Sequence, residues 1–168
     1  DGSHFVVSAS MKWKNVGIKK ILEEETGLPV FGENISRLKA VWYFSSNEQQ
    51  DGKNMVFIDL ENGIGAVQLC HGVINRSLLG EIGHTTVEKD GEPCFCGNRG
   101  CLEAMCSAKR VIKLYEERSG IGGVSLTKIA QRYRQQDAAA KYAVSECAQY
   151  LGIGLANLIM ITHPEVLV

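Results

Sequence analysis

The chain has 168 residues, of which 45% are hydrophobic and 22% charged, and its formal net charge at pH 7 is -1. Such a composition is typical of a globular protein with one substantial core, and so small a charge gives no electrostatic basis for binding nucleic acid. The longest apolar run, residues 151–161, is too short to span a bilayer, and no charged-then-apolar leader opens the chain. We therefore expect a cytoplasmic protein without a membrane segment.

The first third of the chain predicts a strand followed by two helices. Residues 5–9 are strand-like, and residues 15–26 have apolar side chains at helical spacing that end at a glycine. A second helix is expected from about residue 34 to residue 44. Because the chain also stops within a strand-like segment, residues 164–168, we expect either an excised fragment, truncated at both ends, or a last strand that pairs with a segment outside it.

The middle of the chain predicts a three-stranded antiparallel meander. Residues 55–60 and 64–70 are strand-like and flank Asn62–Gly63, and an Asn-Gly pair between two such runs is a strong hairpin signal. The next turn leads into a third strand over residues 73–75. The polar segment before the meander, residues 47–53, is expected to be a surface loop.

Helical periodicity returns in the last third of the chain. Helices are expected over residues 102–118, 126–134 and 137–161, and residues 166–168 then begin another strand. The order of meander, helices and strand predicts an α/β fold.

One histidine and three cysteines between the meander and the helices have the spacing of a metal site. His84, Cys94, Cys96 and Cys101 are a full tetrahedral set of ligands for zinc. The alternative is a loop of reduced cysteines without metal, and either case fits a reducing compartment better than disulfides do. The remaining cysteines lie among apolar neighbours and are expected to be buried core thiols: Cys70, Cys106 and Cys147.

Several segments together resemble the ROK family, which contains sugar kinases and sugar-responsive transcriptional repressors. The most specific is residues 80–103, and the others are residues 28–30, 62–65, 155–158 and 164–167. The resemblance implies one lobe of an actin-like, ribonuclease-H-like ATPase fold. In that arrangement residues 1–33 are a remnant of the N-terminal lobe, and residues 34–168 are the C-terminal lobe with a zinc-binding insertion at 80–103.

The resemblance also implies which residues contact a sugar. The positions are Glu81, His84 and Glu103, and ionised carboxylates suit this task because they accept hydrogen bonds from hydroxyl groups. His84 would then have two roles, with one ring nitrogen on zinc and the other toward the sugar. The alternatives are that both glutamates are solvated surface acids, or that Glu103 only favours the dipole of its helix.

Family kinases carry an Asn-Asp pair at the start of the second helix, where the aspartate accepts the proton of the attacking sugar hydroxyl. This chain has Glu33–Asn34 there, and an amide such as Asn34 cannot act as the general base. The carboxylate of Glu33 lies one residue away. A shift of one residue turns a side chain by roughly 100° around the helix axis, which would direct Glu33 away from the reacting hydroxyl. Both residues could also be a simple helix cap.

Family kinases also carry a glycine-rich turn whose backbone approaches the nucleotide phosphates, and this turn differs in the present chain. Its turn contains Glu61, which places a negative charge where nucleotide phosphates would lie, and the remaining Gly-x-Gly fits a plain hairpin equally well.

We therefore expect the effector-binding part of a ROK-type transcriptional regulator, a protein that binds a hexose or hexose derivative without phosphorylating it. The sugar would dock between Glu33, Asn34 and the group formed by Glu81, His84 and Glu103. DNA contact would need a separate N-terminal helix-turn-helix segment, and the helix over residues 137–161 offers apolar surface for a homo-oligomer. The alternatives are an active ATP-dependent sugar kinase and a ligand-free interaction module that keeps zinc for stability.

Overall fold

The computed structural model describes residues 6–8, 13–47, 52–61, 63–76 and 80–168. Its first elements are an antiparallel ribbon of β1 (Val6–Ser8) and β2 (Trp13–Val16), followed by helix α1 (Ile18–Thr26). The predicted opening strand is confirmed within the described residues. The first predicted helix begins three residues later than expected because residues 13–16 pair with β1, and Asn15 has a φ of 52°, which no helix accepts.

Helix α2 (Ile35–Ser45) confirms the second predicted helix, and Asn34 is its N-cap. The surface loop expected next falls mainly on residues 48–51, outside the described part of the chain, as does the hairpin residue Asn62.

The strands β3 (Met55–Leu60), β4 (Ile64–Cys70) and β5 (Val73–Ile74) form the predicted antiparallel meander. The closing strand β6 (Val166–Leu167) adds to the other side of β3 in the parallel direction, which gives the sheet order β5-β4-β3-β6. The sheet is therefore mixed, and an α/β fold is confirmed.

Both faces of this sheet are covered, as expected for strands that are apolar on both sides. On one face, Val67 and Leu69 of β4 pack with Ala40 of α2. On the other face, Ile64 and Ala66 belong to the main core. That core is completed by α3 (Leu102–Cys106), α4 (Ala108–Ser119), α5 (Leu126–Arg134) and α6 (Ala138–Thr162).

The single helix expected over residues 102–118 is divided into α3 and α4 at Ser107, which has extended backbone angles. The amide of Ala108 donates to the carbonyl of Glu61 in the β3–β4 turn, at 3.1 Å, rather than to the preceding helical turn. The start of α4 is thereby fixed to the hairpin.

Two of the three cysteines expected in the core, Cys106 and Cys147, are buried there, and burial raises their pKa values to about 12 and about 11. The third, Cys70, is only half-buried at the end of β4, so its assignment to the core is wrong.

Helix α6 is long and apolar enough, by length and composition, to cross a membrane. A single helix of this kind is weak evidence, because core helices pass the same test. In this fold α6 packs against α3, α4 and α5, and Ala140, Ala143 and Leu158 on it belong to the main core.

Candidate functional site

The four predicted metal ligands are brought together by three local structures. His84 ends a short 3₁₀ helix (Ile82–His84), and Cys101 is the N-cap of α3. Cys94 and Cys96 lie in a tight turn in which the amide of Cys94 donates to the carbonyl of Asn98 at 2.8 Å. We call these four residues the metal cluster.

The donor atoms of the metal cluster all lie within 4.8 Å of one another. Cys94 Sγ is 3.4 Å from His84 Nδ1, and Cys96 Sγ is 3.7 Å from Cys101 Sγ. A tetrahedral zinc ion with normal bond lengths requires its ligands to be about 3.3–3.8 Å apart. The cluster therefore fits a structural zinc ion in donor type and number, and these two of its six donor pairs already have the spacing that the ion requires.

The backbone around the metal cluster needs two glycines. Gly97 and Gly100 have φ values of 96° and 62°, which other residues rarely adopt. A Cβ atom on Gly100 would also collide with the carbonyl oxygen of Glu88, whereas one on Gly97 would meet no atom within 4 Å. The loop consequently closes only because residue 100 has no side chain.

The imidazole of His84 connects the metal cluster to a neighbouring cleft. Its Nδ1 faces Cys94, while its Nε2 lies 3.7 Å from Oε2 of Glu81. Phe95 packs edge-on against the ring, with the ring centroids 4.9 Å apart. The two ring nitrogens thus face different surroundings, as the dual role of His84 requires.

The cleft beside His84 has a volume of about 180 Å³. It is lined by residues from the start of α2, from β4 and from the segment before the 3₁₀ helix: Asn34, Ser36, Arg37, Gly65, Ala66, Val67, Gly80 and Glu81. The structure therefore brings together Asn34 and Glu81 of the predicted sugar-binding residues, with His84 next to Glu81.

Asn34 caps α2, as the simpler interpretation of this residue proposed. Its Oδ1 accepts hydrogen bonds from the amides of Ser36 and Arg37, at 2.9 and 3.2 Å. Because this oxygen is used by the helix, the part of the side chain left for a ligand is the Nδ2 group, which is only a donor.

Glu33 is not among the residues that line the cleft. Its Oε1 accepts from the amide of Asn34 and from Arg37 Nη1, and its Oε2 accepts from Arg76 Nη2 at 2.7 Å. The hydrogen bond from the Asn34 amide is the largest cause that lowers the pKa of Glu33 to about 2, and the two arginines add to it. Glu33 therefore stays ionised and is a poor proton acceptor near neutral pH.

Glu103 lies apart from the cleft, in a pocket that Cys94 and Phe95 also line. Its Oε2 accepts from the backbone amide of Ile64 at 2.9 Å. A Cβ atom on Gly63 would be 2.9 Å from this oxygen, so the glycine leaves room for the carboxylate. Glu103 thus joins α3 to the first residue of β4.

Sequence reasoning missed an ion-pair network beside the cleft. Lys39 Nζ lies 2.8 Å from Asp59 and 2.9 Å from Glu61, and Ser36 Oγ donates to Asp59 at 2.8 Å. The hydrogen bonds to Asp59 and then Glu61 raise the pKa of Lys39. The available signal was Asp59 itself, a charged residue within an otherwise apolar strand. Glu61 is therefore not an isolated negative charge, because Lys39 partly compensates it.

These elements define a mixed α/β domain with a histidine-cysteine cluster at the edge of a polar cleft. The model of the ROK family matches residues 2–168, and the chain belongs to that family.

Repressors and kinases are both among the proteins that are similar to this chain. A xylose repressor from Caldicellulosiruptor bescii is 25% identical over 178 residues, covering 97% of this chain and 45% of the repressor. A glucokinase from Halalkalibacterium halodurans is 32% identical over 182 residues, covering 96% of this chain and 54% of the glucokinase. The chain spans about half the length of the curated relatives it matches.

A solved structure of a ROK family protein has a fold similar to that of this chain. The ROK family glucokinase from Streptomyces griseus, in complex with glucose and AMPPNP, matches with a TM-score of 0.82 and 27% identity. The match covers 92% of this chain and 56% of that structure. The expected likeness to the fold of ROK sugar kinases is thus confirmed, while the relatives include repressors as well as kinases.

Proposed function

We propose that this chain is the sugar-binding effector domain of a ROK-type transcriptional regulator, which binds a hexose or hexose derivative without phosphorylating it. The observation that carries the proposal is the state of Glu33 and Asn34. One is a carboxylate held by two arginines, and the other is an amide whose oxygen caps α2. Neither offers a free general base to a sugar hydroxyl.

The binding residues follow from the cleft and its surroundings. Glu81 and His84 Nε2 would accept hydrogen bonds from sugar hydroxyls at one end, and the Nδ2 group of Asn34 would donate from the start of α2. Glu103 lines a different pocket, so its contact with the sugar stays a prediction. A direct contact by Glu33 stays a prediction, and it would require Glu33 to exchange one of its present partners.

A structural zinc ion on the metal cluster supports this role. His84, Cys94, Cys96 and Cys101 would hold the ion, which would fix the imidazole of His84 with its Nε2 toward the cleft. The ion would not take part in any reaction.

For the whole protein we propose the arrangement of a ROK-type repressor. Residues 1–33 would belong to the remainder of a first lobe, and residues 34–168 to a second lobe with its zinc insertion at 80–103. DNA would be contacted by a separate helix-turn-helix segment in a cytoplasmic homo-oligomer.

Isothermal titration calorimetry with glucose, xylose, N-acetylglucosamine and N-acetylmannosamine tests the proposal. We expect saturable heat with at least one sugar, and a loss of affinity on Glu81→Gln of about tenfold, the cost of one hydrogen bond to a charged group. Glu117→Gln, at an exposed glutamate on α4 that does not line the cleft, is the matched control and should not change the affinity. A protein that binds none of these sugars is better explained as a zinc-stabilised interaction module.

The second candidate is an ATP-dependent sugar kinase, which the 32% identity to a glucokinase favours. A coupled assay for ADP release in the presence of each sugar distinguishes the two. We expect no turnover, and none after Asn34→Asp, because the new carboxylate would still cap α2 and the group of Lys39, Asp59 and Glu61 would keep one net negative charge beside the glycine turn. Sugar-dependent turnover that Glu33→Gln abolishes would show that the protein is a kinase.

A further inference from the structure

Phe95 is an exposed aromatic residue between two residues of the metal cluster, Cys94 and Cys96. It lies in a turn closed by a hydrogen bond from the amide of Gly97 to the carbonyl of Cys94, at 3.1 Å. The residue is 65% exposed. A single exposed apolar residue is common on protein surfaces, so exposure alone does not give Phe95 a function.

The contacts of Phe95 distinguish it from the other exposed apolar residues. Its ring packs at 88° to the imidazole of His84, with the ring centroids 4.9 Å apart. The same residue lines the pocket that contains Glu103, which has a volume of about 370 Å³. Phe95 therefore borders both His84 and the pocket of Glu103, although these two predicted sugar-binding residues lie in different places.

A second residue, Cys94, makes the same connection but is occupied differently. It lines the pocket of Glu103, and its Sγ is 3.4 Å from His84 Nδ1. The thiol of Cys94 faces the other donor atoms of the metal cluster, all of which lie within 4.8 Å of one another. The ring of Phe95 is not a metal ligand and remains largely exposed, so it provides the surface along which a ligand would extend from His84 to Glu103.

The chemistry of an aromatic ring at this place suits a sugar. The hydroxyl groups of a pyranose project from the edge of its ring, whereas its C–H groups form apolar faces. The face of an aromatic ring carries partial negative charge, which attracts the partly positive hydrogens of C–H groups. An aromatic surface combined with a few polar groups that fix orientation is typical of sites for small molecules.

The backbone already holds Phe95 in a defined turn. The amide of Cys94 donates to the carbonyl of Asn98 at 2.8 Å, and Pro93 pairs with Arg99 in an antiparallel bridge. Because binding then requires little ordering of the loop, less of the interaction is lost as conformational entropy.

Building on the sugar-binding function proposed above, we infer that Phe95 is a further sugar-contacting residue, and that the apolar face of a pyranose ring packs on its aromatic ring. The hydroxyl groups of the sugar would reach Glu81 and His84 on one side and Glu103 on the other. Phe95 then determines specificity for sugars in their ring form.

Isothermal titration calorimetry of the full chain tests this inference, with whichever of glucose, xylose, N-acetylglucosamine and N-acetylmannosamine binds most tightly. Phe95→Ala should lower the affinity about tenfold, because it removes the aromatic surface. Phe95→Tyr keeps that surface and should stay within about twofold of the wild type. Tyr133→Ala, at an exposed aromatic residue on α5 that lines neither pocket, is the matched control and should not change the affinity.

Phe95→Leu provides a comparison that does not depend on the alanine variant. Leucine keeps an apolar side chain in the turn but has no aromatic face, so we expect the affinity of Phe95→Leu to be about threefold or more below that of Phe95→Tyr. This difference remains decisive even if Phe95→Ala destabilises the turn.

A fluorescence measurement separates direct contact with the sugar from support of His84. Phe95→Trp places an indole at the same position. A saturating concentration of the sugar should change the emission of this variant more than that of the wild type, which contains Trp13 and Trp42. A side chain that only supports His84 would not report the sugar in this way.

The outcomes separate this inference from the function on which it rests. Equal affinities of Phe95→Leu and Phe95→Tyr would overturn the inference and leave the sugar-binding function intact. The same holds if the sugar changes the emission of Phe95→Trp no more than that of the wild type. If none of the four sugars binds to the wild type, the proposed function fails and the inference fails with it.

Discussion

The side chain of Asn34 has two possible tasks, and the geometry assigns its oxygen to one of them. Oδ1 accepts from two amides in the first turn of α2, which satisfies donors that a helix cannot pair internally. The same residue lines the cleft. One residue therefore couples the stability of α2 to the shape of the binding site.

We predict that Asn34→Ala lowers the free energy of unfolding by about 1 kcal/mol, the usual cost of a lost helix cap. Asn34→Asp keeps an oxygen at the same place and should stay within a few tenths of a kcal/mol of the wild type. Urea denaturation followed by circular dichroism measures both. Equal stabilities of the alanine and aspartate variants would show that the cap contributes nothing.

The ionised state of Glu33 predicts a pH dependence. Its pKa is about 2 in the folded protein and near 4.5 without its partners, so the folded state favours the charged form. The resulting stabilisation is complete above about pH 4.5 and is lost as the pH falls toward about 2. Because the side chain is partly exposed, we expect solvent screening to limit the effect to roughly 1 kcal/mol.

The measurement is the difference in urea midpoint between the wild type and Glu33→Gln at several pH values from 2 to 6. The wild type should be the more stable of the two above pH 4.5, and the difference should shrink as the solution becomes more acidic. A difference that is constant over this range would mean that Glu33 is not held by its charge.

At the scale of elements, the periodicity of apolar residues predicted helices and strands well where this local pattern alone determines the backbone. It failed where a contact from elsewhere in the chain decides the backbone. Residues 102–118 have helical spacing throughout. The amide of Ala108 nevertheless donates its hydrogen bond to the carbonyl of Glu61, and the helix is interrupted there between α3 and α4. Likewise, residues 13–16 pair with β1, although the helical pattern predicted the first helix from Asn15.

The metal cluster was predictable from the sequence because its ligands lie within 18 residues and glycines mark the turns between them. The pairing of Glu33 with Arg76 was not predictable, since no local pattern indicates which of several arginines reaches a given carboxylate. The network of Lys39 with Asp59 and Glu61 was missed for the same reason, because it joins a helix to a hairpin.

We predict that Gly100→Ala disrupts the metal cluster, because the added Cβ would collide with the carbonyl oxygen of Glu88. Gly97→Ala is the matched control, since Gly97 also has a positive φ but faces open space. Protein purified without chelators should contain about one zinc per chain in the wild type and much less in the Gly100 variant. Emission spectrometry measures the metal, and equal zinc in both variants would contradict the prediction.

At the scale of the whole molecule, one chain of contacts connects the metal cluster to the sheet. Cys101 caps α3, and Glu103 in the first turn of that helix accepts from the amide of Ile64 at the start of β4. The next residues of β4 line the cleft together with Asn34 and Glu81. A ligand in the cleft therefore acts on a surface that the metal loop helps to position.

This connection predicts that sugar and zinc stabilise the same regions. A bound sugar should slow amide hydrogen exchange both in residues 64–67 and in residues 81–86, because ordering either end of the contact chain restrains the other. Removing zinc with a chelator should speed exchange in both segments. Glu103→Gln keeps the shape of the side chain but weakens its hydrogen bond to Ile64, so in this variant chelation should affect residues 81–86 and spare 64–67. Exchange measured by mass spectrometry on all four states tests the prediction, and a response confined to the metal loop in the wild type would show that the cleft and the metal cluster are independent.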